Sequence, residues 1–120
     1  MNNSLLDFLD TLLQTLDQSV IDYKAYLSAG KTFRFAQMLK INNGKALALL
    51  TQQKQLLPEA FVADAEALIE HYQVWTGKWE ELAASLNPGP EDEFVFPNSI
   101  TFPRESASRL EKYYESLKQD

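Results

Sequence analysis

The chain has 120 residues, of which 45% are hydrophobic and none is cysteine, and its formal net charge is −6. This length and composition are typical of one globular domain, residues 1–120, with a core of its own. The lack of cysteine excludes a disulfide framework, a thiolate metal site and a cysteine nucleophile. The acidic balance argues against nucleic acid as a partner, because nucleic-acid binders are usually basic.

The first residues, MNNSLLDFLDTLL, contain no Lys or Arg ahead of their apolar side chains, and Asp7 and Asp10 interrupt the apolar run. A secretory leader has the opposite arrangement. No apolar run approaches the roughly 18 residues of a membrane span. We therefore expect a cytoplasmic protein that has no membrane partner.

Residues 4–29 are predicted to form the first long helix, which Gly30 is suited to end. Its apolar residues recur at steps of three and four, as in the core-facing seam of a bundle helix. The seam consists of Leu6, Leu9, Leu13, Leu16, Val20, Tyr23 and Leu27. Further apolar residues widen it, so this helix is expected to contact two neighbours; they are Leu5, Phe8, Leu12 and Ile21.

Residues 32–57 are predicted to form the second helical region. Asn42-Asn43-Gly44 lies in its middle, and two interpretations compete: one continuous helix, or two shorter helices that turn at Gly44. Leu39 and Ala46 are seven residues apart, so the apolar stripe keeps its phase across this point. That regularity favours one continuous helix.

The third helix is predicted over residues 59–86, after Pro58, and it carries the most regular apolar stripe in the chain. The stripe is formed by Phe61, Ala65, Leu68, Tyr72, Trp75, Trp79, Leu82 and Leu86. Asn87-Pro88-Gly89-Pro90 then ends the helix.

Residues 87–103 contain four prolines, which forbid a regular helix. Phe94, Phe96, Ile100 and Phe102 alternate there, which allows a β-hairpin; an extended segment packed across the helices is the favoured alternative. Pro103 can open a last helix of about 16 residues. The predicted fold is therefore all-α: an up-down bundle of three long helices, a Pro/Phe-rich extended segment (87–103) and a shorter C-terminal helix.

Two groups of charged residues are candidates for partner binding. Lys31, Arg34 and Lys45 are expected on a similar side of the second helix, in a stretch without acidic residues. Glu91, Asp92 and Glu93 precede Phe94, and an acidic arm with aromatic anchors at Phe94, Phe96 and Phe102 is typical of interaction segments. Each group also has an alternative explanation. The charged residues can attract neighbouring helices of the same chain, and the aromatic residues can pack within the chain.

Two patterns resemble catalytic or cofactor motifs, but coincidence or a structural role of their residues explains them better. AYLSAGKT (residues 25–32) matches a permissive phosphate-loop pattern, but a helix precedes it where that motif needs a buried strand. His71 is the only histidine, which excludes a di-iron site built from Glu-x-x-His on two helices. We therefore expect no catalytic site, no metal and no cofactor.

These observations favour a non-enzymatic module that binds another protein, such as an adaptor, chaperone, regulatory subunit or inhibitor. A self-associating structural bundle, for example a homodimer, is the second hypothesis. The third is a small ligand-binding or enzymatic bundle that uses Glu66, Glu70 and His71, and a polar pocket near His71 would favour it.

Overall fold

The computed structural model describes residues 3–95 and 101–119, and within these residues the chain forms four α-helices. Helix α1 spans Asn3–Ser28, α2 spans Phe33–Gln53, α3 spans Glu59–Leu86 and α4 spans Arg104–Lys118. A 3-10 turn, Lys54–Leu56, joins α2 to α3. The molecule is elongated and measures 49 × 23 × 21 Å. The predicted all-α class is confirmed.

The helix ends follow from local sequence. Gly30, with φ +78°, supplies the left-handed conformation that ends α1. Pro58 immediately precedes α3, and Asn87, also left-handed at φ +45°, closes it by donating its backbone N–H to the Ala83 carbonyl over 2.8 Å. The predicted continuity of α2 through Gly44 is confirmed, although α2 ends at Gln53 rather than at 57.

The four helices pack in a ring in which each is antiparallel to its neighbours in the chain. Lys40 in α2 pairs with Glu80 in α3, and Lys54, directly after α2, pairs with Glu66 in α3, so residue numbers rise along one helix as they fall along the other. Between α3 and α4, Arg109 donates a hydrogen bond to Asp64 and Tyr113 stacks on Phe61. This order of pairs shows that α3 and α4 are also antiparallel. Helix α4 also packs on α1, which closes the ring and leaves α1 and α3 on a diagonal.

The core consists of two clusters, one in each half of the bundle. All four helices contribute to the lower cluster, whose most buried large side chains are Phe8, Leu9, Leu12, Leu50, Leu68 and Leu110. The upper cluster is formed by α1, α2, α3 and the segment after α3, and its buried members are Tyr26, Ala36, Leu39, Trp79 and Phe94. Helix α4 therefore supports only the lower half.

The predicted seam of α1 is covered over only part of its length. Leu9 is fully buried, but Val20 is 54% exposed and Tyr23 is 41% exposed. The reason is length: 15 residues give α4 about 22 Å, whereas the 26 residues of α1 extend about 39 Å. Phe8 and Leu12, which are expected to widen the seam, are buried in the core, and α1 contacts two neighbours, α2 and α4, as predicted.

Each described helix falls short of the combined length and hydropathy that a transmembrane span requires.

Candidate functional site

The segment after α3 is attached to the start of α2 by backbone hydrogen bonds. Phe33 N–H donates to the Asp92 carbonyl over 2.8 Å, Arg34 N–H donates to the Pro90 carbonyl over 2.9 Å, and Phe94 N–H donates to the Lys31 carbonyl over 2.8 Å. The first two of these bonds satisfy amides at the N-terminus of α2 that have no partner within the helix. Over residues 87–95, the structure thus agrees with the favoured prediction that residues 87–103 form an extended segment packed on the helices.

Phe94 is a core residue in this arrangement. Its side chain has no exposed surface, and its ring lies 5.1 Å from the rings of both Phe33 and Trp79. The Tyr26 hydroxyl donates a hydrogen bond to the Phe94 carbonyl. Burial, with the nearby Tyr23 and Glu93, raises the pKa of Tyr26 to about 12, so the phenol stays protonated at neutral pH. A partner could reach Phe94 only if the segment left the bundle.

Of the other two aromatic candidates of the arm, the described residues include Phe102. Phe102 is half-buried, and its ring lies 5.3 Å from the His71 ring and 6.4 Å from the Tyr72 ring. Phe96 falls within residues 96–100, which lie outside the described residues, as does most of the hairpin considered for 94–102.

The charged candidates lie partly together, at the junction of the segment with α2. Glu91 pairs with Arg34 at 2.5 Å on the surface, and the Asp92 carboxylate accepts the Gly89 N–H over 2.7 Å. Glu93 forms an isolated antiparallel bridge with Thr32. The acidic and basic groups that the sequence offered as separate binding faces therefore partly neutralise each other here.

Lys31 and Lys45 are not brought together with this ion pair into one binding face. Lys31 lies in the turn before α2, at φ +59°, and Lys45 is exposed twelve residues into that helix. Because helix α1 precedes Lys31, the strand that a phosphate loop needs is replaced by a helix at this position.

A groove of about 830 Å³ lies beside the exposed part of the α1 seam. Its walls come from the two diagonal helices, α1 and α3, its floor comes from α2, and its lower end is formed by the start of α4. The apolar lining consists of Leu13, Leu16, Val20, Tyr23, Leu39, Tyr72, Trp75, Phe102 and Ala107. The polar lining consists of Asp17, Ser19, Asn43, His71, Thr101, Arg104 and Glu111.

The groove exists because α4 begins at the middle of the bundle. Arg104 and Ala107, in its first turn, line the groove, whereas Arg109 and Tyr113 already contact the beginning of α3. Below this point α4 lies against α1 and α3; above it, the same two helices present Val20, Tyr23 and Trp75 to the groove. Sequence periodicity indicates the apolar seam of α1, but it does not indicate how far α4 extends along that seam.

The floor of the groove contains a chain of side-chain hydrogen bonds between α1 and α2. Asn42 Nδ2 donates to the Thr15 carbonyl over 2.8 Å and to Ser19 Oγ over 2.7 Å. Ser19 Oγ in turn donates to Asn43 Oδ1 over 2.8 Å. Asn42 and Asn43 are 7% and 6% exposed, so two polar side chains are buried where an apolar stripe was expected to continue. The chain of bonds makes their burial tolerable.

His71 lies at the lower end of the groove without its predicted companions. Glu66 is directed to Lys54, at 4.0 Å, and neither Glu66 nor Glu70 lines the groove. Burial lowers the pKa of His71, and the nearby Thr101 backbone opposes that shift only in part, which favours a neutral ring at pH 7. Across residues 3–95 and 101–119, no three His, Asp or Glu side chains are grouped as metal ligands.

Comparisons with protein-family models, with curated proteins and with solved structures found no match for this chain.

Proposed function

We propose that this protein is a non-enzymatic interaction module that binds an amphipathic helix of another protein in the groove between α1 and α3. The observation that carries the proposal is the exposure of Val20 and Tyr23, two members of a core-type seam that line the same groove. Apolar residues at helical spacing are normally covered, and an uncovered stripe beside a cleft is a feature of helix-in-groove recognition.

The shape of the groove favours a helix as its occupant because it continues the site that α4 occupies. Helix α4 packs on both α1 and α3 with Leu110 buried between them, and the groove begins at its first turn. A bound helix would therefore lie above α4, against the next turns of the same two helices. From Leu13 to Tyr23 the α1 wall is about 15 Å long, which suits three turns of a partner.

The acidic-aromatic segment is not the binding surface in this proposal. Phe94 is enclosed in the upper core and Glu91 is paired with Arg34, so both are occupied within the chain. Helical adaptors, chaperones, regulatory subunits and inhibitors all fit the proposal. A cytoplasmic location belongs to it as well, and detection of the protein in the cytosolic fraction of its cells tests that part.

A second candidate function is the binding of a small molecule in the same groove. The specific observation in its favour is the volume of about 830 Å³, which lies within the range of small-ligand sites, together with His71 and Asn43 among the polar lining. The helix is preferred because the exposed seam is long and follows one helix axis.

The test uses two adjacent residues of α1. Val20 lines the groove, whereas Ile21, 58% exposed, does not. Tagged wild type, Val20→Glu and Ile21→Glu are used to capture a partner from native lysate, and the retained protein is purified and titrated. We expect Val20→Glu to weaken its affinity about tenfold or more, because a charge would be buried against apolar surface, and Ile21→Glu to leave it unchanged.

Equal binding by wild type and Val20→Glu contradicts the proposal. Sedimentation of the bait alone distinguishes a homodimer: self-association that Val20→Glu abolishes identifies a second copy as the occupant and overturns the proposal of another protein. Retention of a metabolite instead, detected by mass spectrometry of the native protein, identifies the small-ligand function.

A further inference from the structure

Asn42 and Asn43 are neighbours in α2 with almost equal burial, but their side-chain amides have different partners. An amide NH₂ group carries two hydrogens. Asn42 uses both, one to the Thr15 carbonyl and one to Ser19 Oγ. Its donor capacity is therefore exhausted within the chain.

The Ser19 hydroxyl fixes the orientation of the second amide. Since Ser19 Oγ accepts from Asn42, its own hydrogen is directed to Asn43 Oδ1 at 2.8 Å. The carbonyl side of Asn43 thus faces Ser19, and its Nδ2 faces away. In the part of the chain that the structure describes, Nδ2 of Asn43 has no acceptor.

This donor is accessible from the groove. Among the described residues, three side-chain polar atoms are both inaccessible to solvent and without a partner: His71 Nδ1, Thr76 Oγ1 and Trp79 Nε1. Asn43 Nδ2 is not among them, so this unpartnered atom keeps some accessible surface. Asn43 is nevertheless 94% buried and lines the groove together with Ser19. The open side of its NH₂ group is therefore the groove.

We propose that Asn43 determines the specificity of the groove by donating a hydrogen bond to one side-chain amide oxygen, from Asn or Gln, within the apolar stripe of the bound helix. This inference rests on the proposed function. A wholly apolar stripe would cover the Asn43 donor and leave it unsatisfied, which is unfavourable. One polar residue in an apolar helix interface also fixes the register of the two helices.

The charges of the groove favour an amide over a carboxylate as the acceptor. Asp17 and Glu111 line it against a single cation, Arg104, so the lining is net negative. A partner carboxylate would be repelled by this balance, whereas a neutral amide oxygen is not.

Two synthetic amphipathic peptides of about 18 residues test the inference. They are identical except at the central position of the apolar stripe, which is Gln in one and Leu in the other. Each carries a fluorescent label, and anisotropy is recorded as the protein is added. We expect wild type to bind the Gln peptide about fivefold more tightly than the Leu peptide, the ratio that one net hydrogen bond provides.

Two variants serve as a matched pair. Asn43→Leu removes the free donor at similar side-chain size, and we expect it to reverse the preference. Asn42→Leu removes donors that are already used within the chain, and the Ser19 hydroxyl keeps its own hydrogen for Asn43 Oδ1, so we expect the variant to have a lower melting temperature but to keep the preference for the Gln peptide. Circular dichroism defines a temperature at which both variants are folded.

A measurement on wild type keeps the test valid if a variant does not fold. In ¹H–¹⁵N spectra, the side-chain NH₂ signals of Asn43 should move when the Gln peptide is added and those of Asn42 should stay. If neither peptide binds, the proposed function itself fails. If both bind and the Leu peptide binds as tightly as the Gln peptide, the groove function stands and the role of Asn43 is refuted.

Discussion

The ring of Phe94 lies 5.1 Å from the ring of Trp79 and has no exposed surface. Seven residues separate Phe94 from the end of α3, and proline and acidic residues dominate that interval. Phe94 therefore makes the stretch of residues 87–95 part of the upper core and not only a connection.

The first prediction concerns this contact. Phe94→Ala should lower the free energy of unfolding by about 3–5 kcal/mol, because it removes a large aromatic side chain from a packed cluster. Val95→Ala is the control, since Val95 is 51% exposed and its change should stay within about 0.5 kcal/mol. Urea denaturation of both variants measures the difference. A loss below about 1 kcal/mol for Phe94→Ala would show that the side chain is not packed in solution.

The second prediction separates the covered from the uncovered part of the α1 seam. Leu12→Ala should cost about 2–5 kcal/mol, because Leu12 is fully buried beside α4. Val20→Ala should cost less than about 0.5 kcal/mol, because more than half of its surface is exposed. Equal losses in urea denaturation would mean that the groove is filled in solution.

The third prediction compares two glycines. A Cβ added at Gly44 would meet no heavy atom within 4 Å, and α2 is continuous there, so Gly44→Ala should stabilise the fold by up to about 1 kcal/mol. Gly30→Ala should destabilise it by about 1 kcal/mol, because Gly30 has φ +78°. Thermal melting measures both. A lower melting temperature for Gly44→Ala would contradict a continuous helix.

The fourth prediction is a pH dependence that arises from His71. Burial lowers the pKa of His71 in the folded state, so the unfolded chain binds its proton more readily. The titration of His71 does not change the free energy of unfolding above the unfolded pKa of about 6.5, and it lowers that free energy as the pH falls below this value. Tyr72 and Phe102 contact its ring, and Asp17, Arg104 and Glu111 line the same groove.

Thermal melting of wild type and His71→Gln at pH 7.5 and pH 5 tests this expectation. Wild type should lose more stability between the two pH values than the variant, since other groups titrate equally in both. The same loss in both proteins would show that burial does not shift the pKa of His71.

Much of the fold follows from local patterns in the sequence. The seven-residue step from Leu39 to Ala46 correctly predicted one continuous α2, and Pro58 and Asn87 define α3 within a residue. These features are local: helix periodicity and the backbone restrictions of proline and glycine act over a few residues.

The candidate site could not be predicted in the same way because it depends on how far one helix extends beside another. The seam around Val20 and Tyr23 has the same spacing as the part around Leu9, and only the position of Arg104 at mid-bundle leaves the former uncovered. The burial of Asn42 and Asn43 depends likewise on Thr15 and Ser19, which are distant in sequence. One signal was available in the sequence: the predicted last helix is too short to cover the whole length of α1.

The wider apolar face of α1 was predicted only in part. Phe8 and Leu12, which are expected to widen the seam toward a second neighbour, lie in the lower core, where α1 contacts both α2 and α4, whereas Ile21 is 58% exposed. A helix between two neighbours buries a wider face than one seam, and periodicity alone does not show which edge is covered.

The most direct test of the groove as a binding surface is site-specific photo-crosslinking. Benzoylphenylalanine is incorporated at position 20 in one sample and at position 21 in another, and each purified protein is irradiated in native lysate. We expect a discrete adduct with another protein from position 20 and none from position 21, because Val20 lines the groove and Ile21 does not. The same adducts from both positions, or none from position 20, would contradict it.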